Sequence, residues 1–418
     1  MQVKKKSPWA WVPSLYFAEG LPCVVVMTLS VVMYKNLQVS NAEIAFYTSW
    51  LYFPWVIKPL WSPFVDLIKT KRWWIYAMQL LIGGGMAGVA FMIPLDFFLQ
   101  ATLAFFWLMA FSSATHDIAA DGFYMLALDE KDQAFFIGIR STFYRVAMLT
   151  GQGLLVMLAG LLEKATGRVP FAWSIIFFII AGLMIALALW HRYIFPYPAS
   201  DKQRTQQTPR EILREFGRTF TSFFQKKGIV AALLFMLTYR LGEAQLVKMA
   251  SPFLLDNPEA GGLGLSTADV GIAYGVIGVI ALLLGGVLGG IVIARFGLKK
   301  SIWPMALALS LPNLVYLYMA YALPTNFVVV NLCVGLEQLG YGFGFTAYTM
   351  YLMLFAEGEY KTSHYAISTG IMALGMMLPG MASGWIQEQI GYQHFFFWVI
   401  LCCIPVFLVI PFLRIQEK

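Results

Sequence analysis

The sequence predicts an all-α membrane protein that crosses the bilayer twelve times, on three observations. The chain of 418 residues is 59% hydrophobic and only 12% charged, against roughly 25% charged in an ordinary soluble domain. Its mean hydropathy is +0.70, and a core of that fraction leaves too few polar residues to cover a soluble surface. The apolar residues fall into long continuous runs, at or above the roughly 20 residues a helix needs to cross the hydrocarbon, rather than the short alternating segments of a barrel. The composition excludes a soluble enzyme, a nucleic-acid-binding domain and a disordered chain.

In the first half the runs centre on 9–34, 43–67, 73–94, 98–127, 135–162 and 170–194. In the second half they centre on 228–255, 268–294, 301–322, 326–356, 364–386 and 393–413. The first run follows Lys4, Lys5 and Lys6; it is longer than a signal-peptide core and lacks a small-residue cleavage site, so it reads as a membrane span. One polar stretch, Pro196 to Lys227, separates the halves and contains a basic amphipathic segment from Arg210 to Phe224. That pattern predicts a linker with a surface helix, solvated or lying among headgroups, with a partner-binding helix as the alternative.

Loop charges set the orientation. Lys and Arg cluster at the N-terminus, after the second span (Lys69, Lys71, Arg72), in the linker, after the eighth span (Arg295, Lys299, Lys300) and at the C-terminus (Arg414, Lys418). The opposite loops hold only Lys35, Lys164 and Arg168. Basic loops are retained on the cytoplasmic side, so both termini and the linker are expected there. The net charge of +7 is then an orientation signal. The four cysteines, Cys23, Cys333, Cys402 and Cys403, lie in apolar runs without metal-ligand spacing, which implies neither a disulfide framework nor a zinc site. No glycine run has the setting of a phosphate-cradling loop; the runs Gly83-Gly84-Gly85 and Gly285-Gly286…Gly289-Gly290 read as close helix packing. The sequence calls for no metal and no cofactor.

The halves repeat each other weakly. Glu19 of the first span corresponds roughly to Glu243 of the seventh, the basic turn 66–72 to 294–300, and Asp117 with Asp121 to Glu337 of the tenth. Two six-helix bundles joined by a long middle loop define the major facilitator architecture. The expected division is a bundle over 1–195, a linker over 196–227 and a second bundle over 228–418. The segment Gly289 to Lys300 resembles that superfamily's span 8–9 signature.

A charge at the centre of a span costs at least ~2.5–3.5 kcal/mol, so each needs a partner, a cavity or a mechanism. The spans carry Glu19, Lys58, Asp117, Asp121, Arg140, Arg145, Arg240, Glu243, Lys248 and Glu337. Asp117 and Asp121 are four apart and share a helix face; two carboxylates so placed make one a candidate proton carrier. Arg240 and Glu243 are three apart and can pair on their own helix. In major facilitator proteins spans 1, 4, 7 and 10 line the cavity, and those spans hold most of these charges. Interhelical salt bridges are the structural alternative for each. The proton-coupling candidates are Glu19, Asp117, Asp121, Glu243 and Glu337. Arg145, Arg240 and Lys248 are candidates to hold ligand carboxylates or to pair with those acids. Tyr16, Tyr144, Gln245, Gln338 and Tyr341 are candidate contacts to sugar hydroxyls or rings, alongside the possible stacking residues Phe17, Trp50, Trp55, Tyr239 and Tyr348. Lys58, Asp66, Arg72, Arg295 and Lys299 are gating candidates, with Asp66, Lys69 and Arg72 forming a cytoplasmic latch. His116 beside Asp117 admits a proton relay or an acyltransferase dyad, set against a packed histidine; His191, His364 and His394 flank spans and read as interfacial.

Several of these stretches resemble the AmpG muropeptide permease family, a branch of the major facilitator superfamily that includes acetyl-CoA transporters. They are Ala18-Glu19-Gly20-Leu21-Pro22, Lys58-Pro59-Leu60-Trp61-Ser62-Pro63-Phe64-Val65-Asp66, His116-Asp117-Ile118-Ala119-Ala120-Asp121-Gly122, Tyr144-Arg145, Tyr239-Arg240-Leu241-Gly242-Glu243-Ala244, Thr362-Ser363-His364-Tyr365-Ala366 and Pro379-Gly380-Met381-Ala382-Ser383-Gly384. Glu19 stands where relatives commonly have a small or polar residue. The resemblance implies a proton-coupled inner-membrane importer of anhydro-muropeptides serving cell-wall recycling. Its partners would be the solute, protons and the lipid bilayer, with no nucleic acid, and the chain would act as a monomer. An oligosaccharide or acetyl-CoA transporter is the alternative within the superfamily; a membrane acyltransferase or a non-transporting sensor is the alternative outside it.

Overall fold

A computed structural model describes residues 7–198, 201, 209–358 and 360–415. Lys4, Lys5, Lys6, Lys418 and residues 199–200 and 202–208 of the polar linker lie outside the described residues. Among those described, every regular element is helical. The helices are α1 (Pro8–Asn36), α2 (Asn41–Trp50), α3 (Phe53–Ile68), α4 (Lys71–Met92), α5 (Phe98–Ala127) and α6, which runs Glu130–Met148, through a π-helical turn at Leu149–Leu155, to Val156–Thr166. Next come α7 (Val169–Ile194), α8 (Pro209–Phe224), α9 (Ile229–Leu255), α10 (Thr267–Phe296), α11 (Leu298–Ala322), α12 (Phe327–Ala356), α13 (Lys361–Cys402) and α14 (Ile404–Val409).

Ten helical stretches among the described residues are long and apolar enough to cross a membrane. The last of them, Ser363–Phe412, spans 50 residues, about 75 Å of helix at 1.5 Å per residue. That exceeds the roughly 30 Å of hydrocarbon, and Gly391, with φ 73°, breaks it into two passes. The remaining expected pass is α2 with α3, divided at Leu51 and Tyr52. Polar side chains fix the helix starts. Ser40 accepts from the Glu43 amide, Thr70 from Trp73 and Asp129 from Asp132, each satisfying a donor that the first turn leaves unpaired. Ser266 and Asp269 form a reciprocal capping box at α10.

Packing divides the chain into two compact units: Met1–Ser30 with Leu60–Pro209, and Val31–Pro59 with Arg210–Lys418. The second thus includes the end of α1, all of α2 and the start of α3, which lie in the first half of the sequence. In the first unit Trp11, Phe123 and Phe195 pack edge-on around a core with Tyr16 and Tyr124. In the second, Phe235, Tyr239, Tyr348 and Tyr351 form one aromatic cluster, and Phe253, Tyr316, Tyr392 and Phe396 another. Glycines set the closest approaches: a side chain at Gly342 would overlap the Leu282 carbonyl, and one at Gly285 the Leu339 carbonyl, so α10 and α12 meet backbone to backbone. Gly84 and Gly290 face open space, so only some positions of the two glycine runs serve packing.

The linker carries helix α8 over Pro209–Phe224. Its end is docked: Phe223 is buried against Phe355 and His364, and the Lys226 ammonium donates to the carbonyls of Phe355 and Glu357 at the end of α12. A cation there satisfies carbonyls that have no partner inside the helix.

Candidate functional site

In the first unit α1, α5 and α6 bring acids and a cation together. Asp121 Oδ1 accepts from the Tyr16 hydroxyl at 3.1 Å and from Arg140 Nη2 at 2.7 Å. The Arg140 guanidinium also lies 4.4 Å from the Tyr16 ring centre and 5.1 Å from that of Tyr124. Glu19, one turn beyond Tyr16, is within electrostatic reach of Tyr16, Arg140 and Tyr144. Asp117 acts on Tyr144, which is hydrogen-bonded to Cys23. The structure therefore assembles Tyr16, Tyr124, Glu19 and Asp121 around Arg140, with Asp117 and Tyr144 adjoining through Glu19. Arg140 stood among the buried charges but not among the candidate site residues; its partner is 19 residues away on another helix, and no helical period reports that. Arg145 is half-buried on the same helix.

The histidines require a correction. His191 and His364 are buried, at 0% and 3% exposure, and only His394 is exposed. His191 Nδ1 donates to Gln79 Oε1 at 2.8 Å, the Gln79 amide donates to His116 Nε2 at 2.9 Å, and Ser14 bonds His191 Nε2 at 2.9 Å. Proximity to a span end suggested an interface, but α7 turns His191 inward, where Gln79 satisfies it. His116 is thus a hydrogen-bonded core residue within a chain of polar groups crossing α1, α4, α5 and α7.

In the second unit α9 is interrupted at Tyr239 and Arg240, which frees the Arg240 side chain from the regular helix. No ion pair or hydrogen bond joins it to Glu243, the partner its spacing suggested, and the two stay within electrostatic reach. Arg240 Nη2 donates to the Tyr341 hydroxyl, and its guanidinium lies over the Tyr341 and Phe345 rings at 5.2 and 4.9 Å. Glu243 and Glu337 are buried at 2% and 1% exposure and within electrostatic reach of each other. Glu337 accepts from Gln338 Nε2 at 2.9 Å, and the same nitrogen bonds the Tyr274 hydroxyl at 3.2 Å. Glu243 Oε2 and Glu337 Oε1 find no hydrogen-bond donor. A carboxylate left so is costly, and a proton or a ligand donor relieves that cost.

Other candidates are spoken for. Gln245 accepts from Trp398 Nε1 at 2.8 Å and donates to the Leu241 carbonyl at 3.1 Å. It edges an apolar cavity of about 350 Å3 that also meets Pro379, Ala382 and Ile386, a lining unsuited to sugar hydroxyls. Tyr239 and Tyr348 stack on each other at 5.0 Å and donate to backbone carbonyls. Arg72 donates to the Arg192 carbonyl at 2.6 Å and lies 3.5 Å from the Tyr197 ring centre. The Asp66 side chain lies outside the described residues. Arg295 and Lys299 are exposed, and Lys58 is half-buried on α3.

A polar lock that the sequence did not announce joins α2 to the rest of its unit. Lys35 pairs with Asp256 at 2.6 Å and donates to Asn41 Oδ1 at 2.7 Å. Asn41 Nδ2 donates to Gln387 at 2.7 Å and to the Tyr392 hydroxyl at 2.9 Å, and Tyr392 donates to Asp256 at 2.6 Å. The Ala42 amide donates to Glu388 at 2.8 Å. A side chain at Gly384 would overlap the Asn41 carbonyl. The matched stretch Gly380 to Gly384 thereby gains a role: its small residues admit α2.

Ten long apolar helical stretches among the described residues, with charged side chains carried into both units, are the build of a multi-pass membrane transporter. Residues 14–357 match the Major Facilitator Superfamily, and the chain belongs to that superfamily, which is not an enzyme class. It is 25% identical over 415 residues to the putative transporter AmpG 4 of Rickettsia conorii, covering 96% of this chain and 95% of that one. It is 25% identical over 356 residues to the anhydromuropeptide permease of Escherichia coli K12, covering 84% of this chain and 68% of the permease. In solved structures it resembles the nucleoside transporter NupG (TM-score 0.71, 17% identity, 97% of this chain and 98% of that one). It also resembles a D-xylose–proton symporter (TM-score 0.69, 12% identity, 96% and 95%). The solved structures establish the fold alone.

Proposed function

We propose that this transporter is a proton-coupled importer of a sugar-containing solute, with anhydro-muropeptides as the solute and cell-wall recycling as the role. It works in the bacterial inner membrane as a monomer with both termini cytoplasmic, the side to which the basic loops assign them. The observation that carries the reading is the pair Glu243 and Glu337, two buried carboxyl groups each with an oxygen that no donor reaches. Intramembrane acids of this kind mark proton pathways. Asp121 in the first unit differs: Arg140 and Tyr16 hold it, which suits an acid that exchanges between a proton and an internal cation. The similarity to an anhydromuropeptide permease supports the choice of solute.

The test is uptake into proteoliposomes under an imposed inward proton gradient, comparing an anhydro-muropeptide with plain oligosaccharides. Wild type should accumulate the muropeptide. Asp121→Asn and Glu243→Gln should abolish gradient-driven accumulation while the proteins remain monodisperse. Wild-type uptake by both variants sinks the proton assignment, and preference for plain oligosaccharides sinks the choice of solute.

A further inference from the structure

We propose that Lys248 and Ser49 form an anion subsite that takes a carboxylate of the transported solute, and that α2, with Thr48 in the ligand's place, covers this subsite in the state described. The inference rests on the importer reading and adds the charge of the ligand and the residues that read it.

Lys248 on α9 is 1% exposed. Its ammonium donates to Thr48 Oγ1 at 2.9 Å and lies 5.2 Å from the Tyr52 ring centre. Among the described residues no carboxylate lies within ion-pair distance of it. An ammonium carries three donors, so one hydroxyl leaves it under-satisfied, and a buried cation without a counter-ion is costly. Thr48 spends its own proton on the Ile44 carbonyl at 2.6 Å, so its oxygen is a pure acceptor towards Lys248. Beside it Ser49 is fully buried and its Oγ has no hydrogen-bond partner. A β-carbon at Gly380 would lie 2.7 Å from Ser49 Oγ and 3.5 Å from Lys248 Cγ, so the Ser49 hydroxyl and the Lys248 stem both pack against this glycine of α13.

An under-used ammonium and an orphaned hydroxyl, on side chains that pack against one glycine, are complementary to a carboxylate, which accepts from both when α2 moves away. A neutral amide offers only a weaker acceptor to the ammonium. Thr48 then stands in for the ligand while α2 is docked, and undocking of α2 presents Lys248. The Lys35–Asp256–Asn41 lock at the start of α2 is what such an undocking must open.

The probes are the N-acetylglucosaminyl-anhydro-N-acetylmuramic acid disaccharide, with its lactyl carboxylate free, and the same disaccharide as its primary amide. Uptake of each is measured in proteoliposomes of wild type, Lys248→Met and Ser49→Ala. Wild type should favour the acid by about 10- to 100-fold, the worth of a hydrogen bond to a charged group. Ser49→Ala should cut that preference several-fold, and Lys248→Met should bring the two probes within about twofold of each other. Equal uptake of both by wild type, or an unchanged preference in Lys248→Met, overturns the subsite and leaves the importer standing. Where Lys248→Met yields no folded protein, Ser49→Ala decides, and an unchanged ratio there overturns the proposal. If neither disaccharide enters, the importer reading fails instead. The subsite is then read on purified protein from heat stabilisation by N-acetylmuramic acid against its amide, and absence of a preference for the acid overturns it.

Discussion

Asn41→Ala should loosen the docking of α2. The Asn41 side chain accepts from Lys35 and donates to Gln387 and Tyr392 at 2.7–2.9 Å. Each neutral hydrogen bond contributes about 1 kcal/mol net and one to a charged group about 1.5–3 kcal/mol, an upper sum of about 5 kcal/mol. Lys35 and Asp256 keep 15% and 19% side-chain exposure and their own ion pair, so water and Asp256 compensate most of the charged bond. The expected loss is about 2–3 kcal/mol, roughly 30- to 150-fold in the docked-to-undocked ratio. Hydrogen exchange by mass spectrometry on the protein in micelles or nanodiscs reads this directly. The amides of Asn41–Trp50 should exchange faster by that factor, while those of Lys71–Met92, in the other unit, stay as in wild type. A change below about threefold in α2, or an equal acceleration in both helices, would refute the view that this network holds α2.

Two further outcomes follow from the same packing. Gly342→Leu forces a side chain into the Leu282 carbonyl; it should cost at least ~1–3 kcal/mol and lower the thermal midpoint, while Gly290→Leu, facing open space, should leave the midpoint unchanged. Lys226→Met removes the donor to the Phe355 and Glu357 carbonyls; at about 1 kcal/mol, it should raise exchange in the last turn of α12 about fivefold, and an unaltered exchange rate there would count against the capping role.

The stretch Pro379 to Gly384 illustrates how far the sequence reached. Its small residues were legible and matched a family pattern, but their purpose was not, because a glycine does not say which helix approaches it. Asp121 was legible as an acid within a span, since its cost there is a local property. Its partners Tyr16 and Arg140 lie 105 and 19 residues away. Spacing favoured the local pair Arg240 and Glu243 instead, and the break in α9 turns Arg240 to Tyr341.

The sequence by itself determined the fold class, the helices and the residues that demand explanation. Run length against bilayer thickness and the cost of a buried charge act within single segments. Only the tertiary structure decided which charges meet, that His191 faces inward, and that Thr48 meets Lys248. The physical reason is that a membrane helix is apolar on nearly every side, so periodicity gives no preferred face. Which faces meet is settled by glycine gaps and polar partners from distant parts of the chain, as where Gly384 admits the backbone of Asn41.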